Sequence, residues 1–257
     1  MPSDFVDIAV SKTGGVPNPA GNEAMRISTD GVSLLFAPPG GVAVAVEGAT
    51  TSLQRLLNRA ASFLGSGAAV FFHDLDGSSL TPPWSVAGTW AVDATRAAGV
   101  WSALSSNAQV LFKGTTACLN PAAKPWHLAG RFAKSVAPTA GNILGHALTP
   151  FGDGVTNTCH VGIVQALSPT YYVFRVVKAG VTTWAISTVP IDTNFHIGEL
   201  WFDGATVWGS FDNEIPVQVA LTANVPTAPS SERFGVEVGT GAAAENFFDF
   251  QYLAVAR

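Results

Sequence analysis

From residue 68 to 257 the chain is a succession of short runs in which apolar and polar residues alternate, punctuated by glycine, proline or an Asp-Gly pair. Alternation sends successive side chains to opposite faces, so each run reads as a strand with one buried face. About a dozen such runs follow one another without helices between them, which excludes a parallel α/β sheet because that needs a crossover helix after each strand. The expected class is all-β: an antiparallel jelly-roll sandwich. Tyr172, Phe174 and Val176 alternate with Val173, Arg175 and Val177, and Ala179-Gly180 turns the chain into 181–188, with Trp184 and Ile186 on one face. The clearest hairpin spans 199–208. With Asp203-Gly204 as its two-residue turn, Phe202 pairs with Ala205 and Leu200 with Val207 on an apolar face, while Glu199, Trp201, Thr206 and Trp208 share the other. A last strand, 247–255, is expected to place Phe248, Phe250 and Tyr252 on one side.

A different period holds before residue 68. Leu53, Leu56, Leu57, Ala60, Ala61 and Leu64 follow helical spacing, with Thr50, Thr51 and Ser52 as N-cap candidates and Gly65-Ser66-Gly67 as the stop. Gln54, Arg55, Asn58, Arg59 and Ser62 fall on the opposite, polar side. Residues 50–67 therefore read as one amphipathic helix and a glycine linker, able to pack on the chain's own sheets or to form a seam between subunits. Ahead of it, 26–29, 32–36 and 42–46 read as three short strands joined at Asp30-Gly31 and Pro38-Pro39-Gly40-Gly41. Strands this short bury too little to stand alone, so residues 1–49 are expected to form a β arm that attaches or oligomerises the protein.

Composition narrows the partners. Lys and Arg total 13 against 18 Asp and Glu in 257 residues, a formal charge of −5. Without clustered basic residues to displace counterions, nucleic acid is not an expected partner. Glycine and proline interrupt every apolar run short of the ~18 residues of a spanning helix, so membrane insertion is not expected. Met1-Pro2-Ser3-Asp4-Phe5 has neither the basic nor the apolar region of a secretory leader. Charged residues are only 12% while 47% are hydrophobic, a balance that suits large subunit contacts and points to a homo-oligomer.

Three stretches carry a resemblance. Phe71-Phe72-His73-Asp74-Leu75-Asp76-Gly77 followed by Pro82-Pro83-Trp84, the hairpin core 201–208, and Asn246-Phe247-Phe248-Asp249-Phe250 together resemble a concanavalin A-like (laminin-G-like) jelly roll over residues 68–257. The segment 28–36, with the Pro-Gly turn after it, is similar in style to small attachment modules of bacteriophage fibres and capsid decoration proteins. That second resemblance implies a virion location, a trimer, and a capsid or tail protein as partner.

Catalytic and cofactor patterns are absent from the sequence. The glycosidase run Glu-x-Asp-x-x-Glu is missing, and the substitutes Glu199 with Asp203, Asp212 with Glu214, and Glu245 with Asp249 sit at or beside turns, where acids shape the turn or stay solvated. Asp74-Leu75-Asp76-Gly77 begins like a calcium loop, but Ser79 and Ser85 stand where the EF-hand needs Gly and Glu. Gly239-Thr240-Gly241 imitates a dinucleotide fingerprint yet precedes a strand rather than a helix. Cys118 and Cys159 are too few for a zinc site and read as buried thiols, and the five histidines are scattered. No catalytic residue, cofactor or metal is therefore expected. Trp201 and Trp208, with Glu199 and Thr206 beside them, form a candidate glycan platform; the competing reading is that this face is packed under another segment or subunit. The function expected from these features is a non-enzymatic virion structural protein, a phage decoration or fibre protein. The alternative is a carbohydrate-binding module, and a polysaccharide-degrading enzyme stands third.

Overall fold

The structure is a computed structural model that describes residues 6–8, 25–27, 34–36, 44–45, 49–64, 68–75, 84–86, 89–93, 98–103, 110–112, 119–134, 142–150, 156–238 and 244–256. The N-terminal part pairs four short antiparallel strands in sequence order: β1 (Val6–Ile8), β2 (Met25–Ile27), β3 (Leu34–Phe36) and β4 (Val44–Ala45). β3 and β4 fall within strands expected from the sequence, β2 overlaps the first of them but begins one residue earlier, and β1 is an addition. One helix, α1 (Ala49–Leu64), follows.

The remainder folds into two antiparallel sheets. Their strands are β5 (Ala69–Asp74), β6 (Trp84–Val86), β7 (Thr89–Asp93), β8 (Ala98–Ala103), β9 (Val110–Phe112), β10 (Trp126–Lys134), β11 (Asn142–Thr149) and β12 (Thr158–Val164). They continue with β13 (Tyr171–Lys178), β14 (Val181–Pro190), β15 (His196–Phe202), β16 (Thr206–Phe211), β17 (Val217–Leu221), β18 (Ser231–Val238) and β19 (Ala244–Val255). The eight-stranded sheet runs β17-β16-β15-β10-β19-β8-β7, with β5 also paired to β19; the seven-stranded sheet runs β14-β13-β12-β11-β18-β9-β6. The class is an all-β sandwich, as the alternation implied.

The core lies between the sheets. Trp126, Leu128, Phe132, Leu200, Phe202, Val207, Phe211 and Leu253 from the larger sheet meet Leu144, Val161, Ile163, Tyr172, Phe174 and Val176 from the smaller one. Leu200, Phe202 and Val207 are buried together, as expected, and each fully buried side chain of this size contributes about 1.5–3 kcal/mol. Aromatics crossing this space need room opposite them. A Cβ on Gly209 would stand 2.3 Å from the Phe174 ring, and one on Gly130 would stand 2.1 Å from the His146 imidazole, so glycine there lets the sheets close over large side chains. His146 then reaches Gln251 across the sandwich (Nδ1 to Oε1, 2.9 Å), and Gln251 Nε2 donates back to Glu232 at 3.3 Å.

Two expected registers are corrected. The β15–β16 hairpin pairs Phe202 with Val207 and Trp201 with Trp208, so its two-residue loop is Gly204-Ala205 rather than Asp203-Gly204. Asp203 causes the shift. Its N–H donates to the Thr206 carbonyl, and its Oδ1 accepts from the N–H groups of Ala205 and Thr206, both at 2.8 Å. Moving the turn by one residue changes partners by two, so the faces stay as expected. In β19 the register slips opposite Arg131/Phe132, and this bulge separates the three aromatics. Phe248 enters the sandwich core, whereas Phe250 and Tyr252 face the other way, beneath α1.

The helix packs on the chain's own sheet. Leu56, Ala60 and Leu64 meet Ala129, Ile197, Phe250, Tyr252 and Ala254 on the outer face of the eight-stranded sheet. Ala61 is exposed, and Arg55 and Arg59, expected among the solvated positions, turn into this interface instead. The calcium-like residues 76–77, Cys118, and the glycine-rich 239–243 lie outside the described residues.

Candidate functional site

The residues of the expected platform are placed by α1. Glu199 is fully buried and Trp201 is 7% exposed, both under the helix, so the open face imagined for a sugar ring is closed there. Trp208 and Thr206 remain partly exposed, and Trp208 Nε1 donates to Asp203 Oδ2 at 2.9 Å, which ties the ring to its own turn. Beneath the helix, Arg55 and Arg59 reach Glu199 at 2.9 and 3.1 Å, and Arg59 stacks 4.5 Å over the Trp201 ring. His127 Nε2 lies 3.1 Å from Glu199 Oε2. Burial drives His127 towards its neutral form more strongly than Glu199 draws a proton to it, so its N–H donates to the carboxylate. Burial alone would raise the Glu199 pKa, but the His127 hydrogen bond and the nearby positive charges outweigh it and hold the group ionised. This is a packed ion-pair cluster that fastens α1 to the sheet.

Other described carboxylates also have structural tasks, and the side chain of Glu245 lies outside the described residues. Glu214 accepts from the Thr188 N–H and hydroxyl and from the Phe211 N–H, bracing the turn in which Asp212 and Asn213 take φ of 43° and 70°. Asp249 pairs with Arg131. Asp212 and Asp192 clamp His196 from both ring nitrogens, Asp192 at 2.8 Å from Nε2. Burial works against charging His196, yet the two carboxylate hydrogen bonds prevail and raise its pKa, while both aspartates sit below their usual range. Neighbours on a strand point to opposite faces, and Cys159 and His160 do so: Cys159 enters the sandwich core as a free thiol, its pKa pushed up by burial, and His160 lies on the outer face.

That outer face, on the seven-stranded sheet, collects residues far apart in sequence. Register places Arg233 opposite Ala147, Ala147 opposite His160, His160 opposite Arg175 and Arg175 opposite Trp184, one row across β18, β11, β12, β13 and β14. The adjacent row is Gly235, Gly145, Gly162, Val173 and Ile186. Gly145 and Gly162 hold φ of 143° and 154°, where a Cβ would come within 2.1 and 1.9 Å of backbone carbonyls on the neighbouring strand. Both glycines are buried and let β11 and β12 draw together, and Ala147, His160 and Val173 beside them are buried as well. Where the rows reach β13 and β14 a hollow of about 230 Å³ opens, lined by Ile143, Val164, Leu167, Arg175, Thr182 and Trp184. Trp184 is 44% exposed and Ile186 39%. His160 is 4% exposed, and the Leu144 backbone carbonyl beside its ring favours the protonated form. Burial first, then the charges of Arg175 and Arg233, hold its pKa well below the ordinary value.

Part of this site could be read from sequence. A turn at Ala179-Gly180 sets Arg175 opposite Trp184, and Trp184 was already assigned a face with Ile186. Arg233, Ala147 and His160 join only through pairings between distant strands, for which no local signal exists.

No protein-family model matches the chain, and no curated protein is similar to it in sequence. Solved structures share its architecture. A protein of unknown function from Shewanella oneidensis MR-1 superposes with a TM-score of 0.52 at 12% identity, over 82% of this chain and 96% of that one. The binding domain of botulinum neurotoxin DC, solved with rat synaptotagmin II, gives 0.48 at 8% identity over 66% of this chain and 42% of the toxin chain. An alginate lyase, AlyC3, gives 0.47 at 12% identity over 65% and 78%. At these identities the likeness is one of fold. Neither the attachment-module resemblance nor the virion, capsid and trimer expectations find support in these comparisons.

Proposed function

We propose that the chain is a non-catalytic carbohydrate-binding module whose site is the outer face of the seven-stranded sheet around Trp184. The observation that supports it is a half-exposed indole at the rim of the hollow, directly opposite Arg175. A sugar ring offers an apolar face and a rim of hydroxyls; the indole takes the first by stacking and the guanidinium takes the second by hydrogen bonding. The hollow is smaller than the roughly 300–1,000 Å³ of pockets that enclose a whole ligand, which fits a single sugar ring. Glu199, Asp203, Asp212, Glu214 and Asp249 are engaged in ion pairs and turns, which favours binding over turnover.

Affinity electrophoresis through gels containing soluble polysaccharides, with a glycan array alongside, tests the reading. Retention by at least one glycan is expected, and Trp184→Ala should remove it while leaving the thermal midpoint within about 2 °C of the parent. Absence of retention on every glycan, or retention that survives Trp184→Ala, refutes the site.

A further inference from the structure

We infer that the chain forms a twofold-symmetric dimer in which β14 of one copy pairs antiparallel with β14 of the other, centred on Trp184. Among the described residues, the exposed large apolar side chains are Tyr171, Val181, Trp184, Ile186, Ile215 and Leu221, and all lie on β13, β14, β17 or the loop before β17. One lateral side of the sandwich therefore collects them: β14 ends the seven-stranded sheet, β17 ends the eight-stranded sheet, and the two strands lie against each other. Neither strand contains a charged residue. Edge strands that must stay single are blunted by lysine, proline or a bulge, yet in β14 the bulge and Pro190 come only at the far end and leave 181–186 unprotected.

The register of β14 makes it complementary to itself. Lys178 pairs with Val181 across the Ala179-Gly180 turn, so the bonds to β13 fall on Val181, Thr183 and Ala185, and the N–H and C=O groups of Thr182, Trp184 and Ile186 point off the edge. Thr188 continues that series, and its N–H is already taken by Glu214 Oε2 at 2.7 Å. An antiparallel copy sets Trp184 opposite the partner's Trp184 and Thr182 opposite the partner's Ile186, each such pair exchanging two hydrogen bonds. At the ends Thr188 faces the partner's Gly180, which brings Glu214 beside the partner's Lys178, so opposite charges meet twice. Apart from Trp184, the exposed apolar side chains are between 39% and 88% exposed, or roughly 100 Å² each, which gives two copies about 1,000 Å² to cover, the size at which a biological interface begins. The Trp184 indole lines the hollow with Ile143 and Val164, over its own sheet, so the pairing does not cover it. Directly opposed residues point to the same face, and the two indoles thus stand side by side on one continuous outer face. A glycan site shared between copies rests on the glycan reading above, whereas the pairing itself rests on the edge strand.

The test is sedimentation equilibrium of the full chain over a range of concentrations, with residue-resolved amide hydrogen exchange on the same samples. A monomer–dimer equilibrium is expected, with the dimer predominant at about 100 μM and dissociating on dilution, as befits an interface of this size. In the dimer the amides of Thr182, Trp184 and Ile186 should exchange about tenfold or more slowly than in the dilute monomer, while those of Thr183 and Ala185, bonded to β13 in both, should not change. Ile186→Pro removes an N–H that points off the edge and none that bonds β13, so it should give a folded monomer. Should that variant fail to fold, the exchange pattern of the parent still decides. A monomer at every concentration, a trimer, or a dimer whose Thr182, Trp184 and Ile186 amides exchange as in the monomer overturns the pairing. None of these results touches the glycan site, which stands or falls on retention and its loss in Trp184→Ala.

Discussion

The outer faces of the two sheets use the same side-chain types to opposite ends. On the eight-stranded sheet, Trp201, His127, Arg55 and Arg59 surround a buried Glu199, and α1 covers them. On the seven-stranded sheet, Trp184, His160, Arg175 and Arg233 form a row with no carboxylate in it, and Trp184 reaches solvent. Tryptophan beside arginine is thus not a signature of anything by itself. A central carboxylate makes the first group self-sufficient and lets a helix close over it, whereas the second has no carboxylate in its row and ends on an accessible ring.

Substitutions can break this contrast. The largest effect is expected at Glu199: Glu199→Ala leaves Arg55, Arg59 and His127 facing an empty position and should cost about 3–5 kcal/mol in denaturant unfolding. A loss under about 1 kcal/mol would mean that the ion pairs do not hold the helix. Trp201→Ala should follow at about 3 kcal/mol, because the ring is enclosed and Arg59 stacks on it. An unchanged midpoint there would show that the helix does not cover Trp201 in solution.

A smaller, pH-dependent effect is expected at the His196 clamp, outside both faces. The folded protein raises the His196 pKa, so its contribution is complete below the unfolded value near 6.5 and disappears as pH climbs through the raised one. The lowered pKa values of Asp192 and Asp212 make their contribution complete above about 4 and lost on further acidification. Both carboxylates are about 40% exposed, which limits the clamp to about 1 kcal/mol. His196→Ala should therefore destabilise more at pH ~5.5 than at pH ~8.5. A penalty that is flat or larger in alkali would contradict the clamp. The smallest stability effect belongs to Trp184→Ala, under about 0.5 kcal/mol, as expected for an exposed side chain without a structural load. Should it cost as much as Trp201→Ala, the contrast between the faces collapses.

The all-β class, the single helix, the Ala179-Gly180 turn and the burial of Leu200, Phe202 and Val207 were legible because each depends on periodicity or turn chemistry within a few residues. Local signals failed where a side chain overruled a pattern. Asp203 bonded the backbone and moved its turn by one residue. A bulge in β19 turned Phe250 and Tyr252 away from Phe248. Arg55 and Arg59 occupy positions that helical periodicity assigns to water, and only a buried carboxylate from residue 199 draws them in.

By itself, then, the sequence determined which segments alternate, where they turn and which residues must be inside, since these follow from the two-residue period of a strand and the dihedral needs of its turns. Tertiary structure decided which of the two aromatic faces is covered and which strands stand side by side. Arg233, His160, Arg175 and Trp184 share a row only because β18, β11, β12, β13 and β14 are hydrogen-bonded in that order, with β18 brought back beside β11 across more than eighty residues of chain. Such pairing is a property of the whole folded core, in which each strand finds its neighbour by the surface they bury together, and no short stretch of residues encodes it.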